Sequence, residues 1–279
     1  YYGPKMWPYD NGLTVDAIDA WTGWYKTGNW NIHAIMGTQS NSTANPNTDA
    51  RLSGVNASTK IDRFDLNAYY YNENDKTAGA SNYLGVLGFR ANWECMFLKG
   101  LNLGLEYDMN MGKDTNVALD NEHKGYAYKV NADYAMDFMG KLGFDAEYVF
   151  TSGDEKATDK KDEEYTSING DYRPGILIGG GFTAPATGSG NVIYGLGVNW
   201  TPEKMNKLNV AAKYYDFSAD KKVTLTKKHE GSELDLVATW NHSENVSVKG
   251  YYAMFTPEKK NVATDDAATM LGAAFVVKF

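Results

Sequence analysis

Apolar and polar positions alternate along most of this chain with a period of two. From Leu101 to Met111, Leu101, Leu103, Leu105, Tyr107, Met109 and Met111 fall on one face of an extended strand, and Asn102, Glu106, Asp108 and Asn110 on the other. A helix would scatter both sets around its circumference. The pattern recurs. Tyr126, Tyr128, Val130, Ala132, Tyr134 and Met136 alternate with Lys129, Asn131, Asp133 and Asp137. Leu142, Phe144, Ala146, Tyr148 and Phe150 alternate with Asp145 and Glu147, and Leu234, Leu236, Ala238 and Trp240 with Glu233, Asp235, Thr239 and Asn241. The last segment sets Leu271, Ala273, Phe275, Val277 and Phe279 against Gly272, Ala274 and Lys278.

Thirteen strands are predicted, at 14–26, 29–39, 51–59, 62–73, 83–94, 101–112, 124–137, 141–152, 191–201, 207–217, 231–242, 246–256 and 267–279. Most run longer than the roughly 5–6 residues of soluble strands and reach the roughly 9–11 that a tilted strand needs to cross a bilayer. Many carry Tyr or Trp at an end of the apolar face, where aromatic girdles meet lipid headgroups. Short connections at 26–29, 60–62, 138–140, 202–207 and 243–245 alternate with longer polar ones at 40–50, 74–82, 113–123, 153–190, 218–230 and 257–266. Short turns on one side and long loops on the other describe an all-β, transmembrane, antiparallel up-and-down barrel of a bacterial outer membrane. A soluble sandwich would not keep so many long strands with one aromatic face and one carboxylate-bearing face. A propeller should show blade repeats, and none is visible.

The expectation is a single barrel domain over 1–279, carrying loop 153–190 outside the cell or inserted in the lumen. Parity adds a second expectation. Single-chain bacterial barrels have an even strand number, so thirteen strands would form the C-terminal part of a larger barrel, with an odd number before residue 1.

Composition narrows the function. The net charge of -8 argues against a nucleic-acid partner. Mean hydropathy is -0.50, and no apolar run is long enough for a membrane helix. The start, Tyr1-Tyr2-Gly3-Pro4, has no signal-peptide core. The 20 Tyr and 28 Gly suit an all-β protein, and the lone Cys95 excludes an internal disulfide. His33, His123, His229 and His242 lack metal-ligand spacing, and no nucleophile elbow or phosphate-binding loop occurs. No cofactor, metal or catalysis is expected. Carboxylates two apart recur at Glu106/Asp108, Asp145/Glu147 and Glu233/Asp235, which is a wall pattern more than an acid–base pair. A barrel enzyme would need a Ser/His/Asp cluster at one rim.

Two resemblances follow. The close Ala273-Ala274-Phe275-Val276-Val277-Lys278-Phe279 resembles the C-terminal signal by which the barrel-assembly machinery recognises outer-membrane barrels, with Phe275, Val277 and Phe279 on one face. Gly231-Ser232-Glu233-Leu234-Asp235-Leu236 with its strand, the turn at Asn245, and Val246 to Phe255 followed by Thr256-Pro257 resemble the last hairpin of the alginate export family of outer-membrane porins. Gly12-Leu13-Thr14-Val15-Asp16-Ala17, Gly28-Asn29-Trp30 and Phe64 to Tyr71 are similar to that family's central region. The family implies a barrel of about eighteen strands, passing an anionic polysaccharide or another small solute.

In such a barrel the polar face lines the pore. The inward acids would be Asp65, Glu73, Glu106, Asp108, Asp133, Asp137, Asp145, Glu147, Glu233 and Asp235, and the inward bases Arg63, Arg90, Lys129, Lys213, Lys249 and Lys278. A polyuronate conduit should be lined with Arg and Lys, so the excess of acids points to a general diffusion pore or a cation-tolerant channel. The other reading is that acids and bases pair across strands and only hold the wall. Loop 153–190 has a charged first half and a Gly-rich second half containing Ile176, Leu177, Ile178 and Phe182. That apolar stretch must bury somewhere, as a constriction in the lumen or against a partner, unless the whole loop is solvated and mobile. The expected function is a porin passing small polar solutes or saccharides, set in outer-membrane lipid. The alternative is a structural or adhesive barrel that presents its loops to partners.

Overall fold

The computed structural model describes residues 18–39, 50–75, 81–115, 120–156, 158–168, 172–181, 188–223, 225–261 and 266–278. The long strands are β1 (Ile18–Thr27), β2 (Trp30–Gln39), β3 (Ala50–Ile61), β4 (Phe64–Asp75), β5 (Ser81–Glu94), β6 (Leu101–Thr115), β8 (Tyr126–Asp137), β9 (Gly140–Thr151), β11 (Asn191–Pro202), β12 (Leu208–Ser218), β13 (His229–Asn241), β14 (Val246–Pro257) and β15 (Ala268–Val277). Two short ones lie between them, β7 (Asp120–His123) and β10 (Lys161–Asp162). Every predicted strand is present, within a few residues. The predicted start at 14–17 and Phe279 lie outside the described residues. β7 and β10 fall inside segments expected to be loops and pair parallel to each other. Strands of four and two residues are too short to leave a period in the sequence.

Sheet order follows chain order from β1 to β15, with β7 and β10 off the main path. The long-strand pairs β1–β2, β2–β3, β3–β4, β4–β5, β11–β12, β12–β13, β13–β14 and β14–β15 are antiparallel, as in Ile18↔Gln39 through Thr27↔Trp30 for β1 and β2. Among the described residues β1 pairs only with β2, and β15 only with β14. Gly28 (φ 56°) and Asp62 (φ 52°) turn two of the tight hairpins through left-handed backbone, which Gly takes freely and Asp tolerates. Among the described residues no helix is long and apolar enough to cross a membrane, which says nothing about strands.

Packing groups the chain into two compact units. The first takes Tyr1–Trp93, Gly104–Lys129 and Phe150–Tyr172, and the second Glu94–Leu103, Val130–Val149 and Arg173–Phe279.

Burial runs opposite to that of a soluble sheet. Along β6, Gly104, Glu106, Asp108 and Asn110 are buried, while Leu105, Tyr107 and Met109 between them are exposed. On β13, Glu233 and Asp235 are buried, and Leu236 and Trp240 are exposed. Trp21, at 84% exposure, and Leu271, at 83%, stand fully outward. A soluble protein rarely leaves so continuous an apolar face in water. In hydrocarbon the same face is the favourable one. The polar face is not wholly polar. In the first unit Ile35, Leu52, Tyr69, Tyr71 and Val86 make an apolar cluster, closed by Ile168 from the 153–190 loop.

Candidate functional site: the polar face

In the first unit, the polar face is organised around a glycine. Gly88 of β5 lies opposite Tyr69 of β4 in register. A Cβ at Gly88 would collide with the Tyr69 ring and the Asp108 carboxylate of β6. The tyrosine therefore reaches across the bare strand. Its hydroxyl lies 2.9 Å from Glu106 Oε1 and 2.7 Å from Asp108 Oδ1. Arg90, on the same face of β5, forks onto Glu106, Nε to Oε2 at 3.1 Å and Nη2 to Oε1 at 2.9 Å. This bidentate geometry suits a guanidinium and a carboxylate. Asp108 is 0% exposed, so its lone pairs need donors. The Tyr165 hydroxyl of the long loop supplies another at 3.3 Å. Asn110 fastens the loop backbone, donating to Thr166 O at 2.7 Å and accepting from Thr166 N at 2.8 Å.

The second unit repeats the device. Gly197 of β11 is in register with Lys213 of β12, and a Cβ there would strike the Asp145 carboxylate of β9. Lys213 Nζ lies 2.9 Å from Asp145 and 3.1 Å from Glu147, with the Tyr215 ring 5.1 Å from the ammonium. On β13 the second half of the long loop is seated on carboxylates. Glu233, 0% exposed, accepts from Leu177 N at 2.6 Å and Ile178 N at 3.0 Å. Asp235 accepts from Ile176 N at 3.0 Å. Leu177 and Ile178 are themselves buried. Of the apolar stretch expected to bury, Leu177 and Ile178 do so on the polar face of this unit, Ile176 is half-buried, and Phe182 lies outside the described residues.

The other residues assigned to the pore scatter. Arg63 sits in the exposed turn before β4, not along the strand. Asp65 is exposed and pairs with Lys60 at 3.4 Å, a contact that contributes little in water. Glu73 is half-buried near the end of β4. Lys129 lies 4.4 Å from the Tyr172 ring centre. Asp133 is exposed and accepts from Asn131 at 2.9 Å. Asp137, Lys249 and Lys278 are exposed, with Lys249 6.0 Å from the Tyr251 ring. Phe275 and Val277 lie on the exposed apolar face of β15.

Tyr69 and Tyr165 were not singled out in the sequence. Tyr69 shares its parity with Asp65, Asn67 and Glu73, which is the signal that would have placed it. Two histidines also have an unforeseen role. His123 Nδ1 meets Asp162 at 3.1 Å and Nε2 meets Asp114 at 3.0 Å. His229 Nδ1 meets Glu258 at 3.0 Å and Nε2 meets Asp216 at 3.1 Å. Each ties a long connection to the end of a strand. The hydrogen bond with Asp162 raises the His123 pKa, burial opposes it, and Asp114 adds to the rise. Among the described residues no cluster of three or more His, Cys, Asp or Glu is arranged to hold a metal.

No family model matches the chain, and no curated protein does. Solved structures do. The chain is similar to Pseudomonas aeruginosa OccK5 (OpdH), with a TM-score of 0.57 and 12% identity over 99% of this chain and 75% of that one. It also aligns with the outer membrane protein OprD from Pseudomonas aeruginosa, with a TM-score of 0.45 and 11% identity over 92% of this chain and 89% of that one. At this identity the first likeness shows fold alone. The fold is the all-β, antiparallel up-and-down sheet of the barrel porins.

Proposed function

We propose that this chain forms an outer-membrane channel of porin type, passing small polar solutes or saccharides across a bacterial outer membrane. One observation carries the reading: along β6 and β13, Glu106, Asp108, Glu233 and Asp235 are buried while Leu105, Tyr107, Leu236 and Trp240, of the opposite parity, face outward. Lipid satisfies the outward face, and a polar passage gives the inward face its use. The barrel fold supports it. Kinship with the alginate export family, and insertion by the barrel-assembly machinery through Phe275, Val277 and Phe279, belong to the same proposal and rest on the sequence resemblances.

The polar-face acids are largely committed to the wall. Glu106 is met by Arg90, Asp145 and Glu147 by Lys213, and Glu233 and Asp235 by loop amides. This favours a general diffusion pore over a charge-lined polyuronate conduit. Reconstitution of the purified protein into planar bilayers tests the channel. Discrete conductance steps are expected. Intact, inserted protein with no conductance would overturn the channel and leave the scaffold barrel.

A further inference from the structure

We infer that, within the channel proposed above, the turn-side half of the second unit's polar face holds a subsite for a neutral polyhydroxylated solute of mono- or disaccharide size. A cavity of about 550 Å³ lies there, lined by Asn102 of β6, Asp133 of β8, Lys141 and Asp145 of β9, and Asn199 and Thr201 of β11. Its volume is that of a small-ligand site, roughly 300–1,000 Å³.

Its chemistry differs from that of the loop side. There, each buried carboxylate is occupied by a tyrosine, Arg90 or a loop amide. Here the lining is mixed: Asn102, Asp133, Lys141 and Asn199 are exposed, Asp145 is held by Lys213, and the Thr201 hydroxyl accepts from Asn209 Nδ2 at 3.1 Å. Two carboxamides and a hydroxyl each donate and accept, Asp133 accepts, and Lys141 donates. Asp133 and Lys141 are exposed, and neither has an ion-pair partner among the described residues. The Asn199 carboxamide lies against Gly143, where an added Cβ would come within 2.6 Å of its nitrogen, so glycine lets the amide lie along the wall.

Charge decides between solute classes. Asp133 and Asp145 are balanced by Lys141 and Lys213, which also borders the cavity. A lining of one sign concentrates ions of the other sign, and a balanced one favours neither. An anion approaching Lys141 meets Asp133 in the same lining, and a cation at Asp145 finds Lys213 already there at 2.9 Å. A sugar hydroxyl donates and accepts at once, which is what alternating amide, hydroxyl, carboxylate and ammonium groups can satisfy.

The test uses the full chain in planar bilayers, with maltose as probe and a polyethylene glycol of equal hydrodynamic size as the hydroxyl-poor comparison. Maltose should interrupt the ion current with a saturating dose response, and the glycol only in proportion to viscosity. D133A and N199A should each raise the half-blocking concentration several-fold, and the double variant about tenfold or more. T201V, which keeps side-chain volume, should weaken block in the same direction. Heat-modifiable migration confirms that each variant is folded. Equal, non-saturating responses to maltose and glycol, or the same half-blocking concentration in folded variants, would overturn the subsite while leaving the channel. Absence of any conductance would overturn the channel reading instead. Equilibrium dialysis of labelled maltose against the detergent-solubilised chain then decides the subsite separately, by whether it binds and D133A does not.

Discussion

Tyr69 of β4 is hydrogen-bonded to Asp108 of β6 at 2.7 Å across Gly88 of β5, a strand to which neither belongs. Lys213 and Asp145 repeat this across Gly197. Side chains on the polar face thus lie along the wall instead of pointing off it, and the glycines are what permit it.

Replacing Gly88 by alanine should therefore cost far more than a glycine-to-alanine change elsewhere in the sheet. The new methyl displaces the Tyr69 ring and strands a buried carboxylate, a loss of about 1–3 kcal/mol. Gly23, where a Cβ meets nothing within 4 Å, is the control and should be near neutral. Urea unfolding in detergent, with both variants side by side, reads the difference. Equal midpoints would refute the bridging role.

The loop anchor gives a second expectation. Glu233→Ala removes the acceptor for two buried amides, those of Leu177 and Ile178. Unpaired buried N–H groups are costly, so the segment should leave its seat. Single-channel recordings should show larger or noisier openings than wild type. Unchanged traces would mean that the segment does not border the conducting path.

Lys213 offers a selectivity test. Lys213→Met keeps much of the stem but removes the charge held by Asp145 and Glu147. Two carboxylates on the polar face then lose their counter-charge, and reversal potentials under a salt gradient should move toward cation preference. A shift toward anions, or none, would show that these acids do not face the conducting path.

Of the thirteen long strands, even the least patterned was legible. Residues 51–59 barely alternate, yet β3 forms over Ala50–Ile61. The reason is spatial: Gly54 lies opposite Tyr71 of β4, and a Cβ there would run into that ring. At Gly54, β3 is bare where Tyr71 of its neighbour takes the room. What the sequence did not disclose is pairing at long range. Leu177 and Glu233 stand 56 residues apart, and Tyr165 and Asp108 stand 57 apart. Periodicity reports the face of a residue on its own strand and is silent about which loop comes back to cover it.

His123 sets a pH dependence outside the long strands. Its pKa is raised chiefly by the hydrogen bond with Asp162, so its contribution to holding β7 and β10 together is full below the ordinary imidazole value of about 6.5. It is lost as pH rises through the raised value. Limited proteolysis near Lys160 and Lys161 should accelerate as pH rises through that raised value, and His123→Ala should remove that dependence. A flat profile in the wild type would count against the tie.

The long loop also imposes an order in time. Its first half is held by residues that precede it, Asp108 and Asn110, and its second half by residues that follow it, Glu233 and Asp235. The first half can dock as soon as β4 to β6 have assembled. The second has no seat until β13 arrives, and until then Leu177 and Ile178 stay uncovered. The arrival of β13 therefore both extends the sheet and brings the second half of the loop to rest.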